Sequence, residues 1–261
     1  VNRTAAEAPT RYVEHVMGMP ISLALRGRHT TDRAARDAWA EVMTELRDVD
    51  RVFSTYRADS VISRLGRGEV TVEDCVPEVA EVLALAAAAE HDSGGAFSAW
   101  LPGPDGVRWL DPSGVVKGWA TERAAAWLAQ LPDTDFCLSA GGDLTCRTLD
   151  PDGPPWRIGI EHPTDPGRVL AVLPVATGAV ATSGTAHRGA HLVDARTGLA
   201  PTGVAQVTVW GDSLTAADID ATAAFALGSG AAVWLATRPG RSSFVVWADG
   251  STTTVDGSAT I

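Results

Sequence analysis

The chain has 261 residues, with 21 basic and 32 acidic side chains and a formal net charge of −11. No basic block stands out, which excludes a nucleic-acid binder, since phosphate neutralisation needs clustered Lys and Arg. A composition 45% hydrophobic and 20% charged excludes a disordered chain. No stretch approaches the roughly 20 apolar residues that a membrane-spanning helix needs. The N-terminal segment VNRTAAEAPTRYVEH has neither the apolar core of a signal peptide nor a lipid-attachment cysteine. The expectation for the chain as it stands is cytoplasmic, and extracytoplasmic if a signal has been removed. Residues 1–11 read as a tail. Cys75, Cys137 and Cys146 are odd in number and lack CxxC spacing, so buried free thiols are expected rather than a disulfide framework or a zinc site. Among the basic residues, Lys117 is the single lysine.

Residues 12–26 read as strand material interrupted at Gly18–Pro20. Thr30 to Phe53 reads as a helix capped by Thr30 or Thr31, with Ala35, Trp39, Val42, Leu46, Val49 and Phe53 at helical spacing. A second helix is predicted from Pro77 to about His91, with Pro as a good first-turn residue. Gly94–Gly106 reads as loop, and a third helix runs from about Gly118 to Leu131. Short strands are predicted at 136–139, 144–148, 156–160 and 169–175, followed by a loop-rich stretch over 182–188. Strands are expected again at 191–194 and 206–210, a strong helix at Ala216–Leu227 and a short one at 231–237. A closing hairpin over 243–248 and 252–255 would turn at Asp249–Gly250. Helices and strands mix without a strict βαβ period, which favours an α+β fold. Neither GxGxxG nor GxxxxGK[ST] is present.

Four segments carry candidate chemistry. Asp218 and Thr222 lie four apart on the last long helix and project from one face, so they can offer oxygen ligands to a hard cation such as Mg²⁺. A solvent-facing Asp and a Thr bonded to the preceding turn would give the same spacing. In Leu110–Gly118 an acid, Asp111, and a base, Lys117, flank a Gly-containing turn that opens a helix, a setting that favours anions; a capping Asp and a surface Lys are the plainer reading. Gly94–Gly95, Gly141–Gly142 and Thr182–Gly184 are glycine-containing loops that let backbone approach a ligand closely. His191, entering a short strand, could act as a general base near neutral pH.

Taken in order, these segments are specific. Met17-Gly18-Met19-Pro20, FSTYRADSVISRLG (53–66), GGAF (94–97), DPSGVVKGWATERA (111–124), AGGDL (140–144), WRIGIEHP (156–163), ATSG (181–184), HLVDARTG (191–198) and AADIDATAAFALG (216–228) resemble the ApbE family of FAD:protein FMN transferases. The resemblance implies an ApbE-like domain over residues 12–261, with mixed sheets packed by helices in a T-fold-like α+β arrangement. It implies a Mg²⁺-dependent enzyme that binds FAD and moves its FMN half onto a Ser or Thr of an acceptor protein, releasing AMP. Matched residue by residue, Met17, Tyr56, Ala96, Phe97, Asp111, Lys117 and Leu192 would contact FAD, and Ser98 belongs to the same stretch. Gly114 would offer a backbone carbonyl to the metal, with Asp218 and Thr222 as side-chain ligands, and His191 would be the catalytic base.

Three positions depart from the family pattern. Position 98 is Ser where GAFD is usual, Ala195 replaces a proline, and Ala221 stands where a second carboxylate sometimes precedes the metal-binding Thr. Asp218 is then the only acidic side chain on the metal unless Asp143 reaches it. Two alternatives use the same residues: hydrolysis of FAD to FMN and AMP, and a flavin-binding module without chemistry.

Overall fold

The computed structural model describes residues 8–103, 106–184 and 192–257. It begins with a hairpin, β1 (Thr10–Val16) and β2 (Met19–Gly27), whose register pairs Val16 with Met19. The turn between them is two residues long, and both Met17 (φ 55°) and Gly18 (φ 70°) are left-handed, the combination that matches the twist of a tight hairpin. Helix α1 (Arg33–Phe53) buries Ala35, Trp39, Val42, Leu46, Val49 and Phe53 as the spacing predicts, and Met43 besides. Its cap is Asp32 rather than Thr30 or Thr31. The Asp32 carboxylate accepts from the Ala35 amide at 3.0 Å while its other oxygen meets His29 at 2.7 Å, so a charged cap displaces a hydroxyl.

A short helix that the periodicity did not mark, α2 (Val61–Gly66), follows, capped by Ser60. Helix α3 (Pro77–Asp92) starts at its proline as expected. The stretch read as loop contains a small hairpin, β3 (Trp100–Pro102) with β4 (Arg108–Leu110). Helix α4 (Ser113–Ala129) opens earlier than the expected Gly118. The reason is local: Asp111 Oδ1 accepts from the Ser113 amide at 3.0 Å and starts the first turn there.

Strands β5 (Thr134–Ala140) and β6 (Asp143–Arg147) form a second tight hairpin through Gly141 (φ 58°) and Gly142 (φ 104°). A separate ribbon, β7 (Trp156–His162) with β8 (Asp165–Val175), precedes β9 (Gly178–Gly184). Residues 192–194, expected as part of a strand, are not one. Asp194 makes an isolated bridge to Leu199, and its carboxylate holds Arg196 in a turn. Strand β10 (Val204–Gly211), helix α5 (Leu214–Ala226), helix α6 (Ala231–Leu235) and the hairpin β11 (Ser242–Trp247) and β12 (Thr252–Val255) complete the described chain.

The main sheet has eight strands in the order β1-β2-β5-β6-β9-β10-β11-β12, with every neighbouring pair antiparallel. Helices cover one face. Buried side chains of α1, α3 and α4 meet Leu23, Leu25, Phe136 and Leu138, and α5 lies over β9 and β10 through Ala217, Ala221 and Phe225. On the opposite face Leu144, Cys146, Trp156 and Val180 form a smaller core. The fold is α+β, as read from the sequence. The three cysteines are free thiols, but only Cys146 is fully buried; Cys75 and Cys137 are half-buried. Among the described residues, no helix is long and apolar enough to cross a membrane.

Candidate active site

Helices α4 and α5 approach each other through small residues, and this contact builds the site. A Cβ on Gly118 would lie 2.7 Å from the Asp218 Cβ, and one on Gly114 would lie 2.8 Å from the Phe97 ring and 3.3 Å from the Thr222 methyl. A side chain at Gly118 would also meet the Leu214 carbonyl at 2.8 Å, so only glycine fits there, and one at Gly114 would force the Phe97 ring to move. The Gly118 amide, which in a regular helix would bond the Gly114 carbonyl, donates to Asp218 Oδ2 at 2.8 Å.

Asp218 is 1% exposed. Its Oδ1 lies 3.4 Å from Lys117 Nζ, and the same ammonium is paired with Asp143, another buried carboxylate. Asp143 Oδ1 also accepts from the Thr182 amide at 2.9 Å, which ties β6 to β9. Two carboxylates against one ammonium leave the cluster a single negative charge when both are ionised. Burial pushes the Asp218 carboxyl up to about 7; Lys117 pulls it down, and Asp143 adds to the rise. One helical turn beyond Asp218, the Thr222 hydroxyl is 3.1 Å from Ser183 Oγ.

Two adjoining cavities open around this cluster. The smaller, of about 200 Å³, is lined by Lys117, Asp143, Asp218, the Gly141–Gly142 turn, strand β7 at Gly159–Glu161, and Gln206 of β10. The larger, of about 650 Å³, is lined by Met17, Tyr56, Ala96, Phe97, Ser98 and Asp111. Ser113, Gly114, Leu192 and Thr222 line both. The structure therefore brings together Met17, Tyr56, Ala96, Phe97, Ser98, Asp111, Gly114, Lys117, Leu192, Asp218 and Thr222. His191, expected as the base, lies outside the described residues.

The expected residues differ in what they offer. Ala96 and Phe97 are buried, whereas Tyr56 is 99% exposed at the cavity rim. The Ser98 hydroxyl is fully committed. It donates to Glu90 Oε2 at 2.8 Å and accepts from the Trp100 amide at 3.0 Å and Arg108 Nη2 at 3.2 Å. Asp143 was marked as the end of a glycine turn and as a possible second acid beside Asp218, whereas Gly118 and Glu90 carried no separate signal. Gly159–Glu161 lie within the WRIGIEHP motif but were given no role, since strand β7 reaches the cavity from a ribbon outside the main sheet.

Among the described residues, no cluster of three or more His, Cys, Asp or Glu could hold a metal ion. The donor set on offer is instead a Gly114 carbonyl, the Asp218 carboxylate and the Thr222 hydroxyl. All three are hard oxygen donors, in a pocket with one surplus negative charge, which fits Mg²⁺ and leaves coordination positions for water or phosphate oxygens.

The model of the ApbE family matches residues 17–102 and 104–245. The chain belongs to the ApbE family. Among curated relatives, the FAD:protein FMN transferase of Vibrio cholerae is 32% identical over 130 residues, covering 46% of this chain and 39% of the relative. That of Escherichia coli K12 is 28% identical over 160 residues, covering 53% and 45%. The aligned region thus spans less than half the length of these two relatives. ApbE-family structures share the fold over nearly the whole chain. The apo flavinyl transferase ApbE of Pseudomonas stutzeri superposes with a TM-score of 0.79 at 24% identity, covering 98% of both chains. The flavin transferase ApbE of Vibrio cholerae gives 0.79 at 22% identity, covering 97% of this chain and 98% of the other.

Proposed function

We propose that this protein transfers the FMN half of FAD to a Ser or Thr hydroxyl of an acceptor protein, with Mg²⁺ as cofactor and AMP as the second product. The observation that carries this reading is the seam between the two cavities. Gly114 and Thr222 line both, so a two-part ligand lying across the seam sets its central diphosphate beside Lys117 and the oxygen donors. Relatives named FAD:protein FMN transferase support the substrate and the reaction class.

In this reading Phe97, Ala96 and Met17 hold one aromatic end of FAD in the larger cavity, and Tyr56 closes over it from the rim. The Gly141–Gly142 turn and the Gly159 backbone admit the other end. Lys117 neutralises diphosphate charge. The Gly114 carbonyl, Asp218 and Thr222 would hold Mg²⁺, which would supply electrophilic polarisation of the phosphoryl group. His191 takes the proton from the acceptor hydroxyl as its oxygen attacks the phosphorus of the FMN half. The bond from that phosphorus to the bridging oxygen breaks, and the bridging oxygen leaves with AMP. A positioned base of this kind contributes about 10²- to 10⁴-fold.

Incubation with FAD, Mg²⁺ and a candidate acceptor, read by intact mass and AMP release, tests the proposal. A covalent FMN adduct with stoichiometric AMP is expected. Free FMN without an adduct would replace transfer with hydrolysis, and unchanged FAD would leave a binding module. His191→Asn is expected to bind FAD and lose transfer.

A further inference from the structure

The β5–β6 hairpin carries a chemical feature on the face away from the site. Its two-residue turn pairs Ala140 with Asp143, and counting back along the ladder sets Cys137 directly opposite Cys146. Residues flanking such a turn are a hydrogen-bonded pair, and the pairs alternate from there. Cys137 and Cys146, three steps back, are therefore a non-hydrogen-bonded pair, the type that holds Cα atoms about 4.5 Å apart with the side chains closest. That spacing falls inside the range a disulfide accepts, about 4.4 to 6.8 Å. The two sulfurs are 3.0 Å apart, with the Cys146 thiol donating to Cys137 Sγ.

The geometry points to Cys137 and Cys146 as the site of a reversible cross-strand disulfide, formed by exchange with a small-molecule disulfide. No backbone rearrangement is required, because the register already opposes the two side chains. The half-buried Cys137 is the entry point. As thiolate it attacks one sulfur of the oxidant, forming a mixed disulfide and expelling one small thiolate. Cys146 Sγ then attacks Cys137 Sγ, and the second small thiolate leaves. The protons of the two cysteine thiols pass to the two expelled thiolates, so the oxidant disulfide is reduced to two thiols. Cys75 lies outside this chemistry, its thiol donating to the Thr71 carbonyl at 3.1 Å. The bond would staple the two strands whose turn lines the smaller cavity and whose first β6 residue is Asp143.

The test uses the full chain, reduced and then exposed under native conditions to oxidised glutathione, with free thiols alkylated after unfolding. The expected result is a mass lower by two hydrogens, with Cys137 and Cys146 protected in one cross-linked peptide pair and Cys75 alkylated. Cys75→Ser should behave identically. The oxidised protein should melt roughly 5 to 10 °C above the reduced one, as expected for closing a short loop in a chain of this size. The Cys137→Ser/Cys146→Ser double variant should show no such difference. Alkylation of both Cys137 and Cys146, a persistent glutathione adduct on Cys137, or a bond to Cys75 would each overturn the inference.

Discussion

Gly118 and Asp218, one hundred positions apart in the chain, are in direct backbone-to-side-chain contact: the Gly118 amide donates to Asp218 Oδ2 at 2.8 Å. With the bonds that Glu122 of α4 accepts from Ser213 and Thr215 at the start of α5, this bond ties the two helices together, and it leaves Asp218 Oδ1 facing Lys117. A methyl group at position 118 would meet the Asp218 Cβ and the Leu214 carbonyl at less than 3 Å. Gly118→Ala is therefore expected to destabilise the protein by about 1–3 kcal/mol, the usual cost of overpacking. Thermal melting measures the loss, and Mg²⁺ affinity should fall in the same variant because Asp218 is displaced.

Lys117→Ala should separate the two ions that the site is proposed to bind. Removing the ammonium leaves Asp143 and Asp218 without the cation now paired to both. FAD affinity is expected to drop at least about tenfold, some 1.4 kcal/mol. Mg²⁺ affinity should rise, since the pocket gains net negative charge. Calorimetric titration of each ligand reads both signs, and parallel losses of the two would contradict the charge argument.

The metal-free protein should show a pH signature of Asp218. Its carboxyl titrates at about 7 when folded, against an ordinary 3.8. Between these values the native state keeps a proton that the unfolded chain releases, so stability falls as pH rises through that window and levels above about pH 7. The melting temperature of the wild type minus that of Asp218→Asn should decline from pH 4 to 7. Added Mg²⁺, which needs the ionised carboxylate, should reduce the decline.

Placing an acid at position 98 should harm this chain. Ser98 donates to Glu90 Oε2 at 2.8 Å, so Ser98→Asp would set two carboxylates against each other. The single substitution is expected to destabilise, and Ser98→Asp combined with Glu90→Gln should recover stability, with a coupling of about 0.5–3 kcal/mol in a double-mutant cycle. Independent, additive effects would mean that the two positions are unrelated.

The sequence made the long elements legible because their burial is periodic, as in α1, where Trp39, Leu46 and Phe53 mark one face. It made the site legible through ordered motifs rather than through any single residue. What escaped it was competition among neighbouring capping groups and contacts made only on packing. Asp32 outcompeted nearby threonines through a second contact to His29. Helix α4 began early because Asp111 folded back on Ser113, and Glu90 became the partner of Ser98 only once α3 was packed. Gly159–Glu161 reach the smaller cavity on a ribbon whose position no local pattern encodes.

The strand order has a kinetic consequence. Strand β2 has β5 as its inner neighbour, and the ion pair that spans this junction, Arg26 with Asp135, joins positions 109 apart. Four helices and the small β3–β4 hairpin are synthesised between them. Such non-local pairing is slow, because loop closure must precede any compensating contact. A growing or truncated chain that ends before Thr134 would therefore carry β2 with an open inner edge, and the pocket that needs both β6 and α5 would be among the last parts of the molecule to form.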